Sequence, residues 1–166
     1  MSKKVSVFWF RRDLRLNDNV GLLAALKSEF PVLPIFIFDK EILAHLPKND
    51  ARVDFIHEQL QKMHTALQAH GGSLAMYFGT PETIFKQLLD EYDIQAVYTN
   101  RDYEPYARDR DVNITQLLAS QKKGADNHPI PFYAYKDQVI FEENEIVKKD
   151  GNPYVCLLYT SDAADE

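Results

Sequence analysis

Cysteine is nearly absent: Cys156 stands alone among 166 residues, which excludes an internal disulfide framework and a cysteine-held metal cluster. Glycine is scarce as well, with six residues in all. No G-x-G-x-x-G follows the first apolar run, and no G-x-x-x-x-G-K-[ST] occurs anywhere. Binding of NAD or ATP through those devices is therefore not supported. A G-x-S-x-G nucleophile turn is missing too. No apolar run approaches the roughly 20 residues that span a bilayer. Excess positive charge is also lacking. The formal net charge of −6 gives no overall attraction to nucleic acid. The start Met1-Ser2-Lys3-Lys4 runs straight into an apolar segment without the pattern of a secretory signal, so a cytoplasmic protein is expected. His57 and His64 lie seven apart on one helical stretch, too far for a two-ligand metal site on adjacent turns. No metal site is expected.

What is present is alternation. Hydrophobic residues make up 45% and charged residues 27%, the balance of an ordinary globular domain, and the length suits a single one. Val5–Phe10 reads as a strand, and Val20–Phe30 as a helix capped from Asn17-Asp18-Asn19. Val32–Phe38 is apolar on both faces, as a central parallel strand is. Arg52–His70 is an amphipathic helix carrying Ile56, Leu60, Met63 and Leu67 on one face, with Gly71-Gly72 as its stop. Leu74–Phe78 is a third strand. Thr80-Pro81 opens another helix, with Thr as cap and Pro in the first turn. Ala96–Thr99, a helix over Pro105–Gln121, and a fifth, peripheral strand over Ile130–Tyr135 complete the order. Phe141–Pro153 is polar and irregular. Crossovers of this length join parallel strands right-handedly. The reading is an α/β, Rossmann-like three-layer domain with a five-stranded, mostly parallel sheet.

Two charged segments interrupt this pattern. The first, Trp9-Phe10-Arg11-Arg12-Asp13-Leu14-Arg15-Leu16-Asn17-Asp18-Asn19, follows the first strand. The second, Asn100-Arg101-Asp102-Tyr103-Glu104-Pro105-Tyr106-Ala107-Arg108-Asp109-Arg110-Asp111, follows the fourth. Both therefore lie at the carboxyl edge of the sheet, where open α/β domains gather ligands. In the first, arginines paired with Asp13 and Asp18 would simply close a tight loop. In the second, Asp102 and Glu104 could accept hydrogen bonds from a polar heterocycle while Tyr103 and Tyr106 cover its faces. The run Arg108–Asp111 is read as a solvated helix face.

The two segments together resemble the photolyase/cryptochrome family. Pro34-Ile35-Phe36-Ile37-Phe38-Asp39, Arg52-Val53-Asp54-Phe55-Ile56 and Gly151-Asn152-Pro153-Tyr154-Val155 add to the likeness, which covers Lys4 to Val155. The resemblance implies the family's N-terminal α/β domain, which holds a light-harvesting antenna chromophore. A separate C-terminal helical domain, not found in this sequence, holds FAD and the DNA-binding groove. Carried over residue by residue, the antenna pocket is expected from Phe10, Arg11, Phe36, Asp39, Arg52, Asp102 and Glu104. The Glu-Pro-Tyr wording resembles members that bind 8-hydroxy-5-deazaflavin or FMN rather than methenyltetrahydrofolate.

The implied parent activity is that of a deoxyribodipyrimidine photolyase, the light-driven splitting of cyclobutane pyrimidine dimers. Damaged DNA is then a partner of the full-length parent only, and a monomer is expected. The alternatives are a cryptochrome photoreceptor and an unrelated stand-alone nucleotide-binding module. Trp9 is the only tryptophan, so no tryptophan relay can be built here, and the chain alone is expected to be catalytically inactive. Residues 156–166 depart from the family pattern and resemble the translation of a sequencing adapter. A domain of residues 1–155 with a non-native tail of 156–166 is the expectation.

Overall fold

Hydrophobic alternation along the first strand sets the layers. The computed structural model describes residues 3–123, 128–142 and 145–152. The order is β1 (Lys4–Phe10), α1 (Val20–Leu26), β2 (Val32–Asp39), α2 (Lys40–Leu43), α3 (Ala51–Gln68), β3 (Ala75–Gly79), α4 (Pro81–Glu91), β4 (Asp93–Asn100) and α5 (Pro105–Ser120). Then come β5 (Lys122–Lys123), β6 (His128–Pro129) and β7 (Phe132–Tyr135). On β1, Val5, Val7 and Trp9 join one core cluster with Phe85, Leu88, Ile114 and Leu118 of α4 and α5. Phe8 and Phe10 join the other, with Leu22 and Ala25 of α1 and Leu60 and Met63 of α3. A strand buried on both faces needs helices on both. Each fully buried side chain of this kind contributes about 1.5–3 kcal/mol.

The five main strands lie in the order β3-β2-β1-β4-β7, and every pairing is parallel. The expected α/β fold is found, with the sheet wholly rather than mostly parallel. β7 is the peripheral strand anticipated, at the edge beside β4. The chain leaves β1 toward β2 and β3, then crosses back to β4 on the other side of β1. Loops after β1 and β4 therefore diverge, and a crevice opens between them.

Several boundaries differ from the sequence reading. The first helix ends at Leu26, not Phe30: past the cap at Lys27 the Ser28 N–H tightens onto the Ala25 carbonyl at 3.0 Å, and Pro31 keeps Phe30 from continuing the turn. β4 begins at Asp93 rather than Ala96, since the Asp93 N–H already bonds to the Lys3 carbonyl at 3.1 Å. The four-residue α2 was not expected. Asp39 caps it, accepting the Glu41 N–H at 3.0 Å. Among the described residues, 141, 142 and 145–152 form no helix or strand, and residues 156–166 lie outside that set.

The predicted stops are found. Thr80 caps α4 with Pro81 in its first turn. Gly71, at φ +76°, ends α3. The Gly72 N–H returns to the Leu67 carbonyl at 2.9 Å and the Gly71 N–H to Gln68 at 3.0 Å, a left-handed closure that glycine adopts without strain.

Candidate functional site

Three strand ends and one helix start converge on a cavity of about 200 Å³. β1 delivers Trp9, Phe10, Arg11 and Arg12, and β2 delivers Phe36, Phe38 and Asp39. The loop after β4 delivers Asp102 and Glu104, and α5 delivers Tyr106, Ala107 and Arg110. Ile42 and Leu43 of α2 and Ile56 of α3 close the apolar side. Mostly apolar walls with a few convergent polar groups are what a small-molecule site requires.

Six of the seven residues expected for a pocket line it: Phe10, Arg11, Phe36, Asp39, Asp102 and Glu104. Arg52 does not. It is exposed at the start of α3 and holds Asp50 through two bonds, at 2.8 and 2.6 Å. That pairing keeps the Asp50 carboxyl down to about 2. Arg52 lines an adjoining groove with Phe55, Leu14 and Ala51, a groove that shares Arg11, Arg12 and Ile56 with the main cavity. Tyr103 is also absent from the cavity. Its hydroxyl donates to Glu142 at 2.9 Å, so of the two tyrosines only Tyr106 reaches the site.

The charges at the cavity floor form one network. Arg11 is buried and grips Asp111 of α5 with both terminal nitrogens, at 2.8 and 2.6 Å. Its guanidinium carbon lies 4.2 Å from the Trp9 ring centre, and that of Arg110 lies 4.9 Å from the same ring. Burial, and next the like charge of Arg110, hold the Arg11 guanidinium down to about 10. It remains a cation at neutral pH. Arg110 sits 3.9 Å from Asp102, and Arg12 bridges Asp102 at 3.5 Å and Glu104 at 2.6 Å. The Tyr106 hydroxyl donates to Asp39 at 2.6 Å. Burial and this carboxylate push its phenol above the ordinary range.

The reading of Arg108–Asp111 as a solvated face is corrected here. Arg110 is buried and Asp111 is the partner of Arg11. A signal was available in the sequence, because Arg110 falls on the stripe Ala107, Arg110, Ile114 and Leu118, which faces the core. The loop closure expected for the first segment is found in part, through backbone groups: the Arg15 guanidinium donates to the Asp18 carbonyl at 3.3 and 2.9 Å. Asp13 takes the Arg11 backbone N–H at 2.8 Å, and Arg15 reaches Asp137 at 2.6 Å.

Three buried polar atoms of this network have no hydrogen-bond partner: Asp102 Oδ1, Arg110 Nη2 and Arg11 Nε. Buried polar groups are satisfied in the great majority of cases. All three belong to residues that line the cavity, so its polar side carries unmet hydrogen-bonding capacity of both signs. Among the described residues no cluster of His, Cys, Asp or Glu could hold a metal ion, and no helix is long and apolar enough to cross a membrane.

The comparisons with known proteins bear on family and fold. The family model described as DNA photolyase matches residues 6–161, past the boundary expected at Val155. A deoxyribodipyrimidine photo-lyase of Synechococcus sp. is 35% identical over 89% of this chain, which spans 29% of that protein. The crystal structure of a bacterial class III photolyase from Agrobacterium tumefaciens superposes with a TM-score of 0.75 at 30% identity. The match covers 93% of this chain and 30% of that one. An archaeal photolyase from Sulfolobus tokodaii, solved with two FAD molecules and described as implying a novel light-harvesting cofactor, gives a TM-score of 0.73 at 30% identity. That match covers 87% of this chain and 32% of the other. The chain thus spans about a third of the length of these relatives.

Proposed function

The chain belongs to the DNA photolyase family, and from that premise we propose that it binds a light-harvesting chromophore in the cavity at the carboxyl ends of β1, β2 and β4. The observation that carries this reading is the pair Asp102 and Arg110, both of which line the cavity while each keeps a buried polar atom without a hydrogen-bond partner. When bound, such a chromophore absorbs light and passes the excitation to a second flavin. The protein's part is to hold one flat ring in one orientation. Phe10, Phe36 and Phe38 supply apolar surface for its body, and Tyr106 closes one end.

The Glu104-Pro105-Tyr106 wording supports a flavin or deazaflavin rather than a folate, and the polar groups accommodate such a ring. Asp102 Oδ2 already faces Arg12 and Arg110, which leaves Oδ1 as the open oxygen. An acceptor and a donor without partners accommodate an imide edge, an N–H flanked by carbonyl oxygens. Arg12 and Arg52 flank the adjoining groove, where an anionic tail such as the phosphate of FMN is placed by charge. In this reading Arg52 serves the tail and the other six expected residues serve the ring.

For the whole protein, of which this chain is a third by the length of its relatives, the proposed activity is light-driven repair of cyclobutane pyrimidine dimers. FAD and damaged DNA belong to the remainder. The test is titration of the purified chain with 8-hydroxy-5-deazaflavin, FMN and methenyltetrahydrofolate, followed by absorption and fluorescence. The expected result is a shifted spectrum with one of the first two, weakened about tenfold or more in Asp102→Asn, as loss of a charge-assisted bond requires. Binding of none of them, or of the folate alone, overturns the proposal. A dimer-repair assay on the chain by itself is expected to show no turnover.

A further inference from the structure

Asp102 and Glu104 stand on an extended loop, Arg101 to Glu104, whose side chains alternate. The even residues, Asp102 and Glu104, line the cavity. The odd residues, Arg101 and Tyr103, face away and bind a single carboxylate on a distant segment. Arg101 Nη1 and the Tyr103 hydroxyl each donate to Glu142, both at 2.9 Å. This is the two-residue alternation of extended backbone, with a ligand face and a holding face.

The segment that carries Glu142 leaves β7 and crosses the same sheet edge. At its start the Arg101 N–H donates to the Tyr135 carbonyl at 2.7 Å. Asp137, whose side chain is almost wholly buried, takes Arg15 from the first loop at 2.6 Å. Residues 135–142 therefore tie together both loops that build the cavity, while none of them lines it. No hydrogen bond fixes Asp102 Oδ1, and Oδ2 meets Arg12 and Arg110 only at 3.5 and 3.9 Å, so its orientation depends also on the backbone that Arg101 and Tyr103 hold from behind.

We propose that Glu142 is a positioning residue for the chromophore cavity, acting through Arg101 and Tyr103 to set the direction of Asp102 and Glu104. This rests on the proposed binding of a chromophore, yet it has a readout of its own. Without Glu142 the loop keeps its sequence and its cavity-lining groups but loses the anchor of its opposite face. The open acceptor then samples several directions, and a fixed ring edge finds it less often.

The test uses the 166-residue chain and the variants Glu142→Ala, Glu142→Gln and, as a control, Glu82→Ala, which removes an exposed pair with Lys86 on α4. Hydrogen exchange of the free protein and FMN or 8-hydroxy-5-deazaflavin affinity are both measured. In Glu142→Ala, amides 101–104 are expected to exchange about tenfold faster, and affinity to fall by about the same factor, roughly the loss of one charged contact. Glu142→Gln, which keeps an acceptor for Tyr103, recovers part of both effects. Glu82→Ala moves neither. Unchanged exchange at 101–104 in Glu142→Ala overturns the proposal, as does faster exchange with wild-type affinity. If the wild-type chain binds neither chromophore, the exchange measurement still decides the anchor, and only the reading of the cavity falls.

Discussion

Two polar clusters grow from the same pair of loops at the same sheet edge, yet only one of them is closed. In the first, Asp13 accepts the Arg11 N–H, Asn19 Nδ2 and Asn100 Nδ2, at 2.8, 3.0 and 2.7 Å. Asn19 in turn caps α1 through the Leu22 N–H at 2.9 Å, and Asn100 takes the Gly21 N–H at 2.9 Å. None of these buried side-chain atoms lacks a partner. The second cluster, Arg11, Asp102, Arg110 and Asp111, is similarly buried but leaves two donors and an acceptor open. A closed network fixes the fold and asks for nothing further. An open one in a cavity carries a standing desolvation cost that a ligand edge can remove.

The largest effect is expected where the closed cluster is broken. Asp13→Ala removes three buried hydrogen bonds, although Asn19 Nδ2 keeps the Arg15 carbonyl and Asn100 Nδ2 keeps Asn19 Oδ1, and at about 1 kcal/mol each this removes about 3 kcal/mol of stability. For a domain of this size the midpoint of thermal unfolding falls by roughly 6–12 °C. Denaturant unfolding measures the same quantity, and a loss below about 1 kcal/mol would show that the cluster is not a unit. Gly21 belongs to it as well. A Cβ there would stand 2.6 Å from Asn100 Oδ1 and 3.1 Å from the Thr99 carbonyl, so Gly21→Ala pushes α1 off β4 at about 1–3 kcal/mol.

The open cluster is expected to respond in the opposite sense, in binding rather than in folding. Arg110→Met keeps an unbranched apolar stem but deletes the guanidinium over Trp9, and with it the unpaired donor and the buried charge. Chromophore affinity should fall about tenfold, or about 1.4 kcal/mol. Stability should stay within about 1 kcal/mol, because Asp102 keeps Arg12, Asp111 keeps Arg11, and Arg11 is relieved of a like charge. Calorimetric titration beside thermal unfolding separates the two. A large stability loss with affinity intact would reverse the assignment of the clusters.

Much of this contrast could be read in the sequence, and the part that could not has physical reasons. The apolar run Val5–Phe10 and the helical spacing of Ile56, Leu60, Met63 and Leu67 placed the layers, because a continuous apolar run marks a buried strand and a helical period marks a buried face. The four-residue α2 and the two-residue β5 and β6 are too short to carry any period. The charged loops were legible as a place, since strand ends collect ligands in this architecture. Their division of labour was not. Whether Arg11 closes a loop with Asp13 or reaches Asp111, a hundred residues away, depends on tertiary packing that local spacing does not encode. Arg52 illustrates the reverse: a neighbour two residues away, Asp50, captures its side chain in the structure.

The smallest effect concerns the strap behind the open cluster, and it is spectroscopic. Burial, and then the bond to Glu142, push the Tyr103 phenol up to about 12, against about 10 for a free tyrosine. Because the folded value is the raised one, the fold binds this proton more tightly than the unfolded chain does. The resulting stability is complete below pH about 10 and is lost as pH rises toward 12. Tyrosinate absorbance across that range should therefore show a late-ionising group that disappears in Tyr103→Phe. In Glu142→Ala the same group should move part of the way toward 10, since the acceptor and its charge go while the burial remains. Tyr106, held up by burial and by Asp39 instead, should not move and serves as the internal reference. A shift in both tyrosines would mean that Glu142 supports the whole edge. A shift in Tyr103 alone would mean that it anchors the loop that presents Asp102.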